Sequence, residues 1–184
     1  MNITITTEQI KAVSVFAAVK DVRYYLQAVC FTCHGENTLA IATDGHCLGV
    51  LNLGEQDEPP TGEILIPVEA LLLAAKAAGR NSKIPITEDR AGSVVYVPVD
   101  AKYPDWTRIL PKTCSGETAQ IDPSILAKFV KARTALGKSG FITIAHNGLS
   151  AALVDIGHEQ FVGVAMPMRV DCLPTLPEWL AVAA

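Results

Sequence analysis

Cys30-Phe-Thr-Cys33-His34 has the C-x-x-C-H form through which c-type haem is attached covalently. With His46 and Cys47 nearby, the same residues are also the types that hold zinc. Asp44 and His46 are residue types that could form an acid-base pair. Each of these readings lacks a part. Val29 to Thr32 reads as strand, where an offset of three puts Cys30 and Cys33 on opposite faces. The zinc set has no second well-spaced pair. No nucleophile, oxyanion hole, G-x-G-x-x-G or G-x-x-x-x-G-K accompanies Asp44 and His46. Asp44-Gly45 between two apolar runs reads instead as a hairpin turn, with His46 a partly exposed hairpin residue. The expectation is a protein that is not an enzyme, with no catalytic residues, no metal and no cofactor.

The elements around these residues follow from composition and pattern. The chain has 184 residues, enough for one large domain or two small ones. With 49% hydrophobic and 18% charged residues it encodes a folded core. A net charge of −4 excludes a general polyanion binder and confines any nucleic-acid contact to a local basic stripe. No apolar run reaches the ~20 residues of a membrane span. The N-terminus lacks the basic and apolar regions of a signal peptide, and five cysteines is an odd number. Reduced thiols and a cytoplasmic location are expected.

One unit recurs about every 60 residues. The first pass is a strand at Asn2 to Ile5, a capping box at Thr6 and Gln9, and a helix to Val19. The second is a strand at Glu63 to Ile66, then Pro67 at a first helical position and a helix ending near Gly79. The third is a strand at Ala119 to Ile121, then Asp122-Pro123 opening a helix to about Gly137. Strand-like segments follow each helix: Val29 to Thr32, Leu39 to Thr43 and Leu48 to Leu53; Ile84 to Thr87 and Val94 to Val99; Phe141 to Ala145, Leu149 to Ile156 and Phe161 to Met166. The fold class is α+β, with helices on one face of antiparallel sheet. Glu55 to Gly62 and Pro111 to Gly116 are the connectors.

At ~100° per residue, Ile125, Phe129, Ala132 and Leu136 line one face of the third helix, and Lys128, Lys131 and Lys138 cluster opposite. Lys76 and Arg80, four apart, share a side of the second helix. These are either solvated faces or a modest, sequence-blind stripe for the phosphates of double-stranded DNA.

Four segments, in order, resemble the bacterial sliding clamp, the β subunit of DNA polymerase III. Asp21-Val-Arg-Tyr-Tyr-Leu26 is similar to a segment entering a strand of the family's middle domain. Thr43-Asp-Gly-His-Cys-Leu48 looks like that domain's T-D-G-H-R-L hairpin. Tyr103 to Pro111 resembles the join between the middle and last domains, and Val164 to Val170 the family's C-terminal end. The resemblance implies a DNA-clamp fold, with a middle-type domain of two units at 1–111, half of a last-type domain at 117–170, and an apolar tail at 171–184. It also implies a cleft where short linear motifs of DNA polymerases and other clamp-binding proteins dock. Carried over by position, its lining is Leu26, Thr43, Leu48, Pro104, Ile109, Val164, Met166, Pro167 and Met168, and its polar rim is His46, Arg108, Ser150 and Arg169.

Three departures stand out. Cys47 replaces the family's hairpin arginine, a full clamp subunit carries twice as many units, and the chain continues past Val170 through Leu173, Leu176, Trp179 and Leu180. An odd number of units leaves the third with an unmet sheet edge and helix flank, so a homodimer or higher homo-oligomer paired through unit three is expected. The tail either packs locally or competes for the cleft. The function expected is a replication or repair accessory that docks partners and encircles or contacts DNA as an oligomer. The alternatives are a clamp decoy or regulator that does not encircle DNA, and a metal- or haem-binding protein using Cys30, Cys33 and His34.

Overall fold

The computed structural model describes residues 1–170 and 174–175. In chain order its elements are β1 (Ile3–Thr6), α1 (Thr7–Ser14), β2 (Ala28–His34), β3 (Asn37–Thr43), β4 (Cys47–Asn52), β5 (Ile64–Pro67), α2 (Val68–Ala78), β6 (Lys83–Ile86), β7 (Arg90–Ala91), β8 (Val94–Val95), α3 (Pro123–Ala135), β9 (Thr143–Ala145), β10 (Ala152–Asp155) and β11 (Phe161–Ala165). The tail residues Leu173, Leu176, Trp179 and Leu180 lie outside the described residues.

Local chemistry sets the helix starts. Thr6 and Gln9 form the expected capping box, each side chain accepting the other residue's amide N–H. Asp122 accepts the N–H of Ser124 at 2.7 Å, and Pro123 opens α3. Pro67 differs from expectation. It caps α2 instead of entering it, because it is still the last residue of β5 and lies opposite Ala28. α1 also stops earlier than the apolar pattern suggests, at Ser14 instead of Val19. The amide of Ala18 donates to Leu26 and that of Arg23 to the Asp21 carboxylate, so a turn takes the groups that would extend the helix. A short 3-10 turn at Tyr24–Gln27 follows.

The strands form a seven-stranded sheet in the order β5-β2-β3-β4-β11-β10-β9 and a four-stranded sheet in the order β1-β6-β7-β8. First strands cross between units: β1 pairs with β6, and β5 with β2. Unit three has no such exchange. Its expected first strand, 119–121, makes a single bridge from Gln120 to Met168. Its third strand, β11, pairs antiparallel with β4, and α1 packs between α2 and α3. Unit three therefore meets unit one on both layers, and its free sheet edge is the short β9.

The larger sheet is apolar on both faces. Val29, Phe31, Ala40, Ala42, Cys47 and Leu51 pack with the helices. Ala28, Cys30, Leu39, Ile41, Leu48 and Val50 pack on the other face, beneath Tyr103 and Trp106. At the seam, Gly49 of β4 lies opposite Gly163 of β11. A Cβ on Gly49 would be driven into the Phe16 ring, and one on Gly163 into the Phe129 ring. The absence of both side chains lets the two rings settle 4.9 Å apart over the seam.

Candidate functional site

The turn between β3 and β4 is built by its own side chains. Asp44 Oδ1 accepts the amides of His46 at 2.8 Å and Cys47 at 2.9 Å. Thr43 Oγ1 donates to the Cys47 carbonyl at 2.6 Å and accepts the Gly45 amide at 3.0 Å. Gly45 has φ +91, a conformation that favours glycine. So Thr-Asp-Gly is the sequence of the turn itself.

Four other parts of the chain then fasten this tip. The Thr43 amide donates to the Tyr103 hydroxyl at 3.1 Å, and the Met166 amide to the His46 carbonyl at 2.9 Å. Lys128, from α3, pairs with the outer oxygen of Asp44 at 2.6 Å. Arg23 donates to the Asp44 carbonyl at 3.2 Å while its guanidinium pairs with Asp21 at 2.7 Å.

Between the tip, the Pro104–Ile109 segment and the end of β11 lies a cleft of about 340 Å³. Of the anticipated residues, Leu26, Thr43, His46, Pro104, Ile109, Val164 and Met166 line it. Arg23, Tyr25, Gly45, Cys47, Asp105 and Trp106 complete the wall. All of these additional residues lie inside segments already singled out, and strand or turn register decides which of them face the cleft. Leu48 is buried completely beneath the cleft, packed with Tyr103 and Val164, and so supports the floor without forming it. Arg108 and Ser150 belong to an adjoining cavity of about 410 Å³ that shares Ile109 and Met166. Met168 lies in a different hollow beside Gln120 and Leu149. Pro167 and Arg169 line none of these cavities.

The charges follow from this packing. Burial opposes ionisation of Asp44, yet Lys128 and the two turn amides hold its carboxyl below the ordinary range. Hydrogen bonds from the Arg23 side chain and amide bring Asp21 down to about 2. Burial pushes the Cys47 thiol up to about 12, helped by Asp44, so it lines the cleft as a neutral thiol.

The sequence profile of the DNA polymerase III beta subunit, central domain, matches residues 2–105, more than half of the chain. The chain belongs to the DNA polymerase III beta subunit family. It is 32% identical to the beta sliding clamp of Escherichia coli K12 over 112 residues, 56% of this chain and 31% of that one. To the beta sliding clamp of Pseudomonas aeruginosa PAO1 it is 29% identical over 105 residues, 52% of this chain and 29% of that one. The matched stretch thus spans about a third of these relatives. Among solved structures, the DNA polymerase III subunit beta of P. aeruginosa superposes with a TM-score of 0.69 at 19% identity, covering 92% of this chain and 67% of that one. The Borrelia burgdorferi subunit, in complex with a natural product, gives 0.67 at 14% identity, covering 92% and 64%. Likeness at these identities is one of fold, and that fold is the α+β clamp fold.

The basic residues of the clamp chain are placed less simply than a helical wheel implies. Lys76 and Lys131 are exposed on α2 and α3. Lys128 is not a free member of a stripe, because its ammonium is spent on Asp44. Arg80 and Lys138 lie beyond the helix ends, after Gly79 (φ +85) and Gly137 (φ +69), so helical spacing does not govern them. Cys30 is buried and Cys33 exposed on β2. Among the described residues no three His, Cys, Asp or Glu side chains gather into a metal site. No described helix is long and apolar enough to cross a membrane.

Proposed function

We propose that this chain acts as a sliding-clamp-like accessory in DNA replication or repair, without catalysis of its own. In this reading it holds short linear motifs of polymerases and related proteins in the cleft beside the Asp44–His46 tip. The observation that carries the reading is the cleft's construction. Leu26, Ile109, Val164 and Met166 supply an apolar lining, and Arg23, His46 and Asp105 stand at it as polar groups. Apolar anchors in a small cavity with a few oriented polar groups are the usual terms of peptide recognition. The tip is already hydrogen-bonded from several sides, so little ordering cost is left for binding. Met166 gives one wall the adaptability that suits varied partners.

DNA contact is the second part of the proposal. Lys76, Arg80, Lys131 and Lys138 would give sequence-blind, salt-sensitive phosphate binding, with the chain assembled as a homo-oligomer. The Lys128–Asp44 ion pair favours a second version in which the chain docks partners without holding DNA.

The deciding experiment is an anisotropy titration of a labelled linear peptide bearing two apolar anchors. Ile109→Ala and Met166→Ala should each weaken binding roughly tenfold or more. Undiminished affinity in both variants refutes the cleft. A parallel titration with labelled duplex DNA at two salt concentrations separates the two versions, since phosphate contact must weaken steeply with salt.

A further inference from the structure

Two charged side chains line the cleft, Arg23 and Asp105, and each already has a counter-ion from its own segment. The Arg23 guanidinium grips Asp21 with two prongs, Nε donating to Oδ1 at 3.0 Å and Nη2 to Oδ2 at 2.7 Å. Nη2 also donates to the Asp44 carbonyl, and Nη1 lies against Gly45, where a Cβ would stand 3.1 Å from it. Asp105 takes the Thr107 hydroxyl on Oδ1 at 2.6 Å and the Arg108 Nε on Oδ2 at 3.0 Å.

Both pairs close within a few residues of chain, so they form whether or not the cleft is filled. A ligand carboxylate reaching Arg23 must displace Asp21, which also accepts the Arg23 amide at 2.8 Å and is held down to about 2. An ammonium reaching Asp105 must displace Arg108 and the Thr107 hydroxyl. A tethered counter-ion competes at high effective concentration, so the exchange brings a ligand little. A ligand charge set down without a partner loses hydration and gains nothing in return. Little else in the cleft could replace these partners. Tyr25, Leu26, Trp106, Ile109, Val164 and Met166 are apolar in their bulk, and Cys47 is a neutral thiol. His46 is exposed, and an imidazole above its ordinary titration range offers a hydrogen bond but no charge. The hairpin arginine that Cys47 replaces would meet no free acceptor beside it, since Asp44 is taken by two turn amides and Lys128.

We propose that Asp21 and Arg108 set the specificity of the cleft. By neutralising Arg23 and Asp105 from within the chain, they make it a receptor for linear motifs with apolar anchors and no charge between them. The two residues act on the ligand through the partners they hold, so they are positioning residues. Selection works by exclusion: a charged motif meets occupied partners where an uncharged one meets apolar wall. The inference rests on the docking of linear motifs in this cleft and adds to it the chemistry of the motif.

Three labelled peptides test it at about pH 8, above the range in which imidazole ordinarily titrates. Each carries two apolar anchors, and they differ only in the pair of residues between them: serines, aspartates or lysines. Anisotropy titration of the full chain should find the serine peptide bound at least about threefold more tightly than either charged one. A charged peptide bound within about threefold of it, or more tightly, overturns the proposal. Asp21→Asn frees the Arg23 guanidinium and should raise the affinity of the aspartate peptide relative to the serine peptide roughly tenfold, an advantage lost in high salt. Arg108→Gln should do the same for the lysine peptide through Asp105. A ratio unmoved in either variant overturns the proposal, and the peptide series on the parent chain tests it without any variant. Ile109→Ala and Met166→Ala keep the two readings apart. If no peptide binds, or if neither variant weakens the serine peptide, the cleft and this inference fall together. If both variants weaken it while a charged peptide binds as well as the serine peptide, only the inference falls.

Discussion

The β3–β4 hairpin and the β7–β8 hairpin occupy the same place in successive units, and their surroundings have made them different objects. The first has six or seven residues per strand and buries nearly all of them. The second has two per strand and leaves Val95 and Val97 in solvent. Both have turn chemistry of their own, through Asp44-Gly45 in one and Gly92 at φ +56 in the other. What separates them is the strand alongside: β11 pairs with the outer edge of β4, and no strand among the described residues pairs with the outer edge of β8. A strand grows as long as the ladder it can join, so pairing partners, more than propensity, set the length here.

The largest test of this contrast is Phe129→Ala. It removes the ring over Gly163 and beside Phe16, and should cost about 3–5 kcal/mol in denaturant unfolding. A loss below ~1 kcal/mol would mean that the seam does not hold unit three in place. Gly49→Ala should cost about 1–3 kcal/mol, because the new methyl must displace the Phe16 ring. A variant as stable as the parent would show a seam looser than its geometry.

Asp44→Ala should cost about 2 kcal/mol by leaving the Lys128 ammonium and two turn amides without their acceptor. Because the folded carboxyl is held below the ordinary value of 3.8, its stabilising contribution is complete above that pH and is lost as pH falls through the depressed folded value. Acid titration of Asp44→Asn should lack that component; identical acid midpoints would argue against the ion pair. Smallest of all, Val95→Thr at dilute concentration should shift stability by no more than about 0.5 kcal/mol, since its side chain is mostly exposed. A larger loss would mean that β8 is not bare in solution.

Much of this was legible in the chain. The caps at Thr6, Asp122 and Gly79 announced three helices, and apolar alternation marked most strands. Residues of the four family-like segments line the cavity beside the hairpin tip. Local reasoning failed where a distant group intervened. Lys128 looked solvated because its partner is 84 residues away. Leu48 was carried to the lining by its place in the family-like hairpin, which does not say what lies over it. Met168 was drawn to the cleft by its neighbours in sequence, yet the bridge to Gln120 holds it elsewhere.

The sequence alone determined the units and the turn at Asp44-Gly45, because caps, turns and periodicity act over a few residues. Only the tertiary structure decided that unit three closes on unit one, that Lys128 belongs to the hairpin, and that β8 is the edge left open. Those outcomes depend on which strands and helices meet across long stretches of chain. Pairing and desolvation at such meetings are set by three-dimensional neighbours, which no local pattern encodes.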